Sequence, residues 1–344
     1  MKKILYLLLR RLSNRLFRLP APFLIVFSGI FIILASCIMY LLEPDTFKNP
    51  FNAFWYVMTT LTTVGYGDFY PVTAAGKVFA IFLYLFGIGL LSLVIGKIID
   101  LFVNAKERRM SGKVDYPNRS HIIIIHWNKK AQSAIDELLG AGNLNEIVLI
   151  DDLDRMPVEH PRVHFISGDP ASEDTLRKAG IERAKSAIIF GDIRIDDPSL
   201  TDGKSLLISS SIERLAPEVH TTVEIMLEKH IHNFRHVNIN DFIVSHDAVS
   251  RLAVRSALHE GSTEIYTQLL SSRFGDDLYE IPCDPAWVTY RNAFEALLTQ
   301  GATLIANRGN LGINRMLDDP IGQDPKLYVI CNPETYAGII KKGR

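Results

Sequence analysis

Residues Thr62-Thr63-Val64-Gly65-Tyr66-Gly67-Asp68 lie in a short segment between two long apolar runs. A cation leaves water only where other oxygens replace its hydration shell. Rings of backbone carbonyls can do so, with the Thr63 hydroxyl adding a further layer. For successive carbonyls to face one axis, the backbone must alternate between ordinary and left-handed conformations. Glycine enters the left-handed region at little cost, which accounts for Gly65 and Gly67. Val64 and Tyr66 then point away from the axis and pack behind it. One chain supplies one side of such a pore, so the stretch predicts a homotetramer. A lone Gly-Tyr-Gly would be a glycine-rich turn; the flanking apolar runs are what give it a different reading.

Residues 23–42 (FLIVFSGIFIILASCIMYLL) carry no charge and have the length needed to cross a hydrocarbon core, about 20 residues. Glu43, Pro44 and Asp45 stop that span. Asn49 to Thr63 predicts a helix too short to span, whose negative C-terminal end would face the central cavity and favour a cation there. Non-helical backbone at membrane depth requires a surround of protein or a water-filled pore, and the Thr63–Gly67 segment meets that condition. Gly76 to Phe102 predicts the second span, ending among Lys106, Arg108, Arg109 and Lys113. Gly87 and Gly89 interrupt it, either for close packing against the first span or as a hinge. Residues 1–20 carry Lys2, Lys3, Arg10, Arg11, Arg15 and Arg18 and no acid, and read as an interfacial amphipathic helix on the inner leaflet. Cationic flanks on both spans place the N- and C-termini in the cytoplasm of a multi-pass protein of the cell (inner or plasma) membrane. These elements give a pore domain at 21–104 and a polar linker at 105–118.

The 344 residues are 48% hydrophobic with a net charge of −1, so the basic N-terminus is balanced by an acidic remainder. Cys37, Cys283 and Cys331 have neither metal nor disulfide spacing and fit a reducing interior. No nucleic-acid partner is expected.

From His121 the pattern changes to alternating strands and helices. HIIIIH, EIVLID, VHFIS, SAIIF, TTVEIML and Phe242-Ile243-Val244 predict six strands, with helices at Lys129–Leu139, after Gly168-Asp169, and at Leu206–Leu215. This is a doubly wound, Rossmann-like order over 119–245. Asp151 ends the second strand, where an acid can hold the ribose of a nucleotide. The first turn reads His126-Trp127-Asn128-Lys129 and lacks the glycines that admit a pyrophosphate. No catalytic acid, base or nucleophile is marked, so the chain does not read as an enzyme.

The pore stretch between two spans and the run GDPASEDTLRKAGI at 168–181 resemble the prokaryotic two-transmembrane potassium channels that carry a C-terminal RCK (regulator of potassium conductance) domain, and in particular the calcium-gated ones. The resemblance implies a selectivity filter at Thr63, Val64, Gly65, Tyr66 and Gly67, braced by Trp55 and Tyr56, with potassium as the transported ion. It implies a gating hinge at Gly87 or Gly89, Gly89 favoured, and crossover helices at Asp247–Glu260 and Glu264–Ser272 (246–273) that clasp a neighbour. A small α+β lobe would follow at 274–344, with LYEIP, ATLIANR and KLYVIC as its strands. It further implies a ring of cytosolic domains, with free copies supplied from an internal start at Met110.

For the gating ligand the resemblance offers calcium, bound through Glu224 and Asp192 with Asp196 and Asp197 nearby, although Met226 replaces one carboxylate of that pattern. A nucleotide at Asp151 is the second possibility. His230, His232 and His236, with His220 and His246, would suit a transition metal or proton sensing, against the plainer reading of surface histidines. The competing functions are a nucleotide- or proton-sensing regulatory subunit of a potassium transporter and a membrane-anchored dehydrogenase. The first would carry no filter between its spans, and the second would need the glycine loop.

Overall fold

A computed structural model describes residues 20–140, 144–271 and 275–342. The interfacial helix expected over 2–19 lies outside the described residues. The chain divides into two compact units, 1–108 and 109–344.

The first unit begins with α1 (Ala21–Leu42), a short turn of helix α2 (Pro44–Phe47) and α3 (Pro50–Leu61). The start of α3 is fixed locally. The Asn49 side chain accepts from Asn52 N at 2.9 Å, and Pro50 occupies the first turn, where its missing N–H costs nothing. Helix α4 (Ala74–Met110) follows the filter segment. It is 37 residues long, about 55 Å at the rise of an α-helix. The linker expected at 105–118 is therefore helical over 105–110. Lys106 to Met110 contain no breaker, and the first residue that needs a left-handed backbone is Gly112 at φ 65°. Met39, Phe47, Tyr56, Val57, Leu61 and Leu83 form the unit's core. Phe23, Val26, Ile33, Leu41, Leu85 and Phe102 point outward and are more than half exposed. Leaving such side chains in water forgoes about 1.5–3 kcal/mol each, so α1 and α4, the two helices long and apolar enough to span, belong in lipid.

The second unit holds a six-stranded parallel sheet in the order β3-β2-β1-β4-β5-β6. Its strands are β1 (Ile122–Ile125), β2 (Ile147–Asp151), β3 (Val163–Ser167), β4 (Ser186–Ile189), β5 (His220–Ile225) and β6 (Asp241–Val244). All four residues of β1 and all five of β2 are buried, as strands covered on both faces must be. Ile122, Ile124, Ile147 and Leu149 pack under α5 (Lys129–Gly140), while Ile123, Ile125, Val148 and Ile150 pack under α6 (Glu173–Lys178) and α7 (Pro198–Leu215). Helix α7 starts eight residues before the expected Leu206. Asp197 caps it by accepting from Ser199 N and Leu200 N, and Pro198 opens its first turn.

The expected crossover helices are α8 (Ser245–Leu258) and α9 (Ser262–Leu269), turned at Gly261 with φ 83°. Neither has a buried residue, so α8 is not the core-facing helix its spacing also allowed. The final lobe is an antiparallel sheet β7-β9-β8, with β7 (Asp277–Ile281), β8 (Thr303–Asn307) and β9 (Leu327–Cys331). Helices α10 (Tyr290–Leu298) and α11 (Pro333–Lys342), which no sequence pattern marked, complete it.

Candidate functional site

The filter segment hangs from the C-terminal end of α3. Val64 N and Gly65 N both donate to the Thr59 carbonyl, at 2.9 and 3.1 Å, and Thr63 N donates to Thr60 O at 3.0 Å. Every second residue then adopts a left-handed backbone: Thr63 at φ 60°, Gly65 at 57° and Gly67 at 75°. Val64 and Tyr66 do not. This period-two alternation turns successive carbonyls to the same side, the arrangement a dehydrated cation needs. The two glycines sit where the sequence expected them. Thr63 is the addition, a β-branched residue in a region that costs it about 1–2 kcal/mol, held there by the hydrogen bonds to α3. Behind the segment, the Tyr66 ring stacks on Trp55 at 5.7 Å and 1°, and Trp55 Nε1 donates to Asp68 Oδ2 at 2.9 Å. Tyr56 meets Tyr84 of α4 through their hydroxyls at 3.1 Å. Val64 and Tyr66 are each more than half exposed in the single chain.

The two glycines of α4 differ. A methyl on Gly87 would lie 2.0 Å from Leu61 Cδ2, so Gly87 allows α4 to approach the end of α3. A methyl on Gly89 would meet nothing within 4 Å. Close packing therefore accounts for Gly87 and leaves Gly89 unexplained by packing.

In the second unit Asp151, Asp192 and Glu224 stand at the C-terminal ends of β2, β4 and β5, and all three are almost fully buried. Each already has a cation. Arg194 bridges two of them, donating from Nη2 to Asp151 Oδ1 at 2.6 Å and from Nε to Asp192 Oδ1 at 2.8 Å. Lys204 Nζ holds Asp192 Oδ2 at 2.7 Å. Asp151 also accepts from Trp127 N and Asp152 N, both at 2.7 Å. Lys130 and the Ser245 hydroxyl bind Glu224 Oε1, and Gly191 N donates to Oε2 at 2.9 Å. Burial alone would raise the Asp192 carboxyl, but Arg194 and Lys204 outweigh it and hold the group well below its ordinary range.

Calcium takes 6–8 oxygens with room for water. Asp192 and Glu224 instead spend their oxygens on ammonium, guanidinium, hydroxyl and amide donors, so this donor set does not fit calcium. Asp197 is occupied as the cap of α7. The histidines do not converge either. His230 Nδ1 bonds Asp202 at 2.7 Å and His220 Nε2 lies 3.0 Å from Asp241. Among the described residues no three His, Cys, Asp or Glu are arranged to hold a metal. What the strand ends do present is a cavity of about 780 Å³, lined by Asp152, Asp169, Asp192, Arg194, Ser199 and Lys204.

Comparison with known proteins agrees with both halves. The ion channel family matches residues 24–104, and the calcium-activated potassium channel slowpoke-like RCK domain matches residues 118–223. A Bacillus subtilis protein named as a potassium channel, YugO, is 33% identical over 221 residues, which cover 64% of this chain and 67% of that one. The chain belongs to the potassium channels. The calcium-gated potassium channel TvoK of Thermoplasma volcanium is 33% identical over 231 residues, covering 65% of this chain and 64% of TvoK. The channel thus spans about two thirds of the length of these relatives. Among solved structures the GsuK channel aligns with a TM-score of 0.49 at 16% identity, over 68% of this chain and 63% of that one. The human SLO3 gating ring aligns with a TM-score of 0.49 at 15% identity, over 64% and 46%. Likeness at that level says nothing of ligands.

The residues that sequence reasoning missed in this potassium channel are the cations Lys130, Arg194 and Lys204. Arg194 could have been suspected from its place two residues after Asp192. Lys130 is 94 residues from Glu224, and only the folded sheet brings them together.

Proposed function

We propose that four copies of the chain form a potassium-selective pore in the cell membrane, both termini in the cytoplasm, opened by a small ligand bound to the cytosolic domains. The alternating backbone of Thr63, Gly65 and Gly67 carries the reading, because it gives carbonyls of one chain a common direction that four-fold repetition would close into rings. The unburied faces of α8 and α9 support pairing of neighbouring domains into a ring. Val249, Val254 and Leu258 are each more than half exposed there. Ligand binding favours one ring geometry by its difference in affinity for the two states, and the linker transmits that bias to α4. Gly89 is the position proposed to bend.

For the ligand, the cavity over the strand ends supports a nucleotide or other phosphate-bearing solute drawn to Arg194 and Lys204; Asp151, the acid expected at the ribose, is bonded to Arg194 and does not line the cavity. Calcium on Asp192 and Glu224 is not proposed. Free cytosolic domains starting at Met110 would supply further ring members. Met110 is itself a core residue of the second unit, and its carbonyl accepts from Met156 N at 2.7 Å.

Purified protein in liposomes tests the reading: potassium efflux blocked by barium is expected, and no efflux would refute the pore and favour a transporter subunit. Adding calcium, nucleotides and protons singly to the cytosolic side of a bilayer recording then identifies the ligand.

A further inference from the structure

The segment that leaves the pore-lining helix is fastened to the cytosolic domain by backbone bonds, by one imidazole, and by a tyrosine that packs against that imidazole and a second one. Ser167 N donates to Gly112 O at 3.1 Å, Tyr116 N to Lys178 O at 2.8 Å, and Arg183 Nη2 to Tyr116 O at 2.9 Å. His164 Nε2 bonds the Val114 carbonyl at 2.7 Å, and His121 Nε2 bonds the Ala179 carbonyl at 2.9 Å. A carbonyl only accepts, so both rings carry their proton on Nε2 and a lone pair on Nδ1. The Tyr116 ring lies between them, its centroid 4.4 Å from that of His121 and 5.3 Å from that of His164. Its hydroxyl donates to Glu146, which also accepts from Asn118 Nδ2 at 2.7 Å.

A second proton has no place on His121, while His164 is partly buried. His121 is wholly buried, and its Nδ1 has no hydrogen-bond partner, so an Nδ1–H would face no acceptor. Arg183 stands near His121 and Arg109 near His164, and both oppose a further positive charge. Burial is the largest effect and pushes both imidazoles below their ordinary value; it outweighs the Ala179 and Val114 carbonyls, Glu146 at both rings and Asp115 at His164, which favour the charge, and a charge on His164 further opposes one on His121.

We propose that His121, His164 and Tyr116 are an acid-sensitive latch, which holds residues 112–118 on the domain while the imidazoles are neutral and releases them when the cytosol acidifies. The direction follows from linkage. A released imidazole titrates near its ordinary value, about 6.5, and so binds more protons than a docked one. Docking is therefore at full strength above about pH 6.5 and weakens as pH falls below it. Because the segment continues directly from α4, release slackens the connection through which the domain acts on the pore. That consequence rests on the proposed function; the latch itself does not.

Hydrogen exchange on the full-length channel in nanodiscs tests the latch without ion flow. Between about pH 7.5 and about pH 5.5, after correction for intrinsic rates, peptides over 112–118 should lose protection about tenfold or more while those over β1 and β2 keep theirs. In H121Q/H164Q the amides can still donate to the same carbonyls but do not titrate, so protection should be equal at both pH values. Equal protection in the wild type, or the same loss in the double variant, would overturn the proposal. If the double variant does not assemble, His164→Gln alone should reduce the steepness of the transition from two protons to one, and an unchanged slope would overturn it. In bilayers the response of open probability to cytosolic acid should shrink in His164→Gln; an identical response would sever the latch from gating.

Discussion

Gly65→Ala adds one methyl to each subunit, and the structure says where its cost lies. At Gly65 the backbone has φ 57°, and a methyl built there meets no atom of its own chain within 4 Å. The penalty within one chain is therefore conformational, about 1–2 kcal/mol for an L-residue in the left-handed region. The proposed four-fold ring needs the same conformation in every subunit, so the penalty rises to about 4–8 kcal/mol per pore, or about three to six powers of ten in the population of conducting rings. Two measurements read this out: barium-sensitive potassium flux from liposomes, and the reversal potential under opposed potassium and sodium gradients. Linked tetramers add a graded test. One variant subunit in four should lower selective flux about 5- to 30-fold, and each further one should multiply the loss. Val64→Ala, at a position without positive φ, should leave the backbone term untouched. Wild-type flux and selectivity in the fourfold Gly65→Ala channel would refute the claim that a left-handed residue 65 builds the ion path.

Glu224→Gln should lower the stability of the second unit by about 1–3 kcal/mol, discounted because Lys130 is half exposed, and leave any divalent dose response unchanged. A shifted divalent midpoint at unaltered thermal stability would contradict this. Burial raises the Glu224 carboxyl, but Lys130, Ser245 and Gly191 outweigh it and hold the group below its ordinary 4.5. Its stabilisation is thus present above about pH 4.5 and lost as pH falls through the lowered value, which an acid melt series would show. Glu43→Ala should weaken the junction between α1 and the start of α4 by about 1–3 kcal/mol per chain. The buried Glu43 carboxylate accepts from Thr73 N at 2.6 Å and Thr46 Oγ1 at 2.9 Å, ahead of α4. Heat-induced loss of the proposed tetramer on gels would measure this, and an unchanged midpoint would count against it. Trp55→Phe keeps the stack on Tyr66 but loses the bond to Asp68, about 1 kcal/mol. Steady currents should then decay several-fold faster, and equal decay would show that the bond does not steady the filter.

The alternating backbone at Gly65 and Gly67 was legible because its requirement is local. Only glycine enters the left-handed region cheaply, so its spacing writes the backbone conformation into the sequence. Thr63 was not legible in the same way, because a threonine at φ 60° is imposed by the carbonyls of Thr59 and Thr60 rather than preferred. The strands of the sheet were legible from continuous apolar runs, whereas those of the final lobe came from the family resemblance and not from a local pattern. The ends of α4 and α7 were not. Continuation to Met110 depends on the absence of a breaker, and the early start of α7 depends on an Asp-Pro pair that also occurs in turns. Glu224 and Asp192 were read as carboxylates awaiting a cation. A buried carboxylate is costly without a partner, so the fold had to supply one, and the partners come from α5, α7 and the loop after β4.

Those pairings limit how a ligand can act. A phosphate-bearing solute that engages Arg194 and Lys204 takes both from Asp192, and Arg194 from Asp151. Stripping a buried carboxylate of its partner costs about 3–5 kcal/mol, so binding must either keep these bonds shared or move the ends of β2 and β4 apart until water reaches Asp192. The first leaves the domain unchanged and cannot bias a pore. The second couples occupancy to a displacement of α7, whose N-terminal turn lines the same cavity. The charges that pair these carboxylates thus give an anionic ligand a reason to be felt beyond its own site.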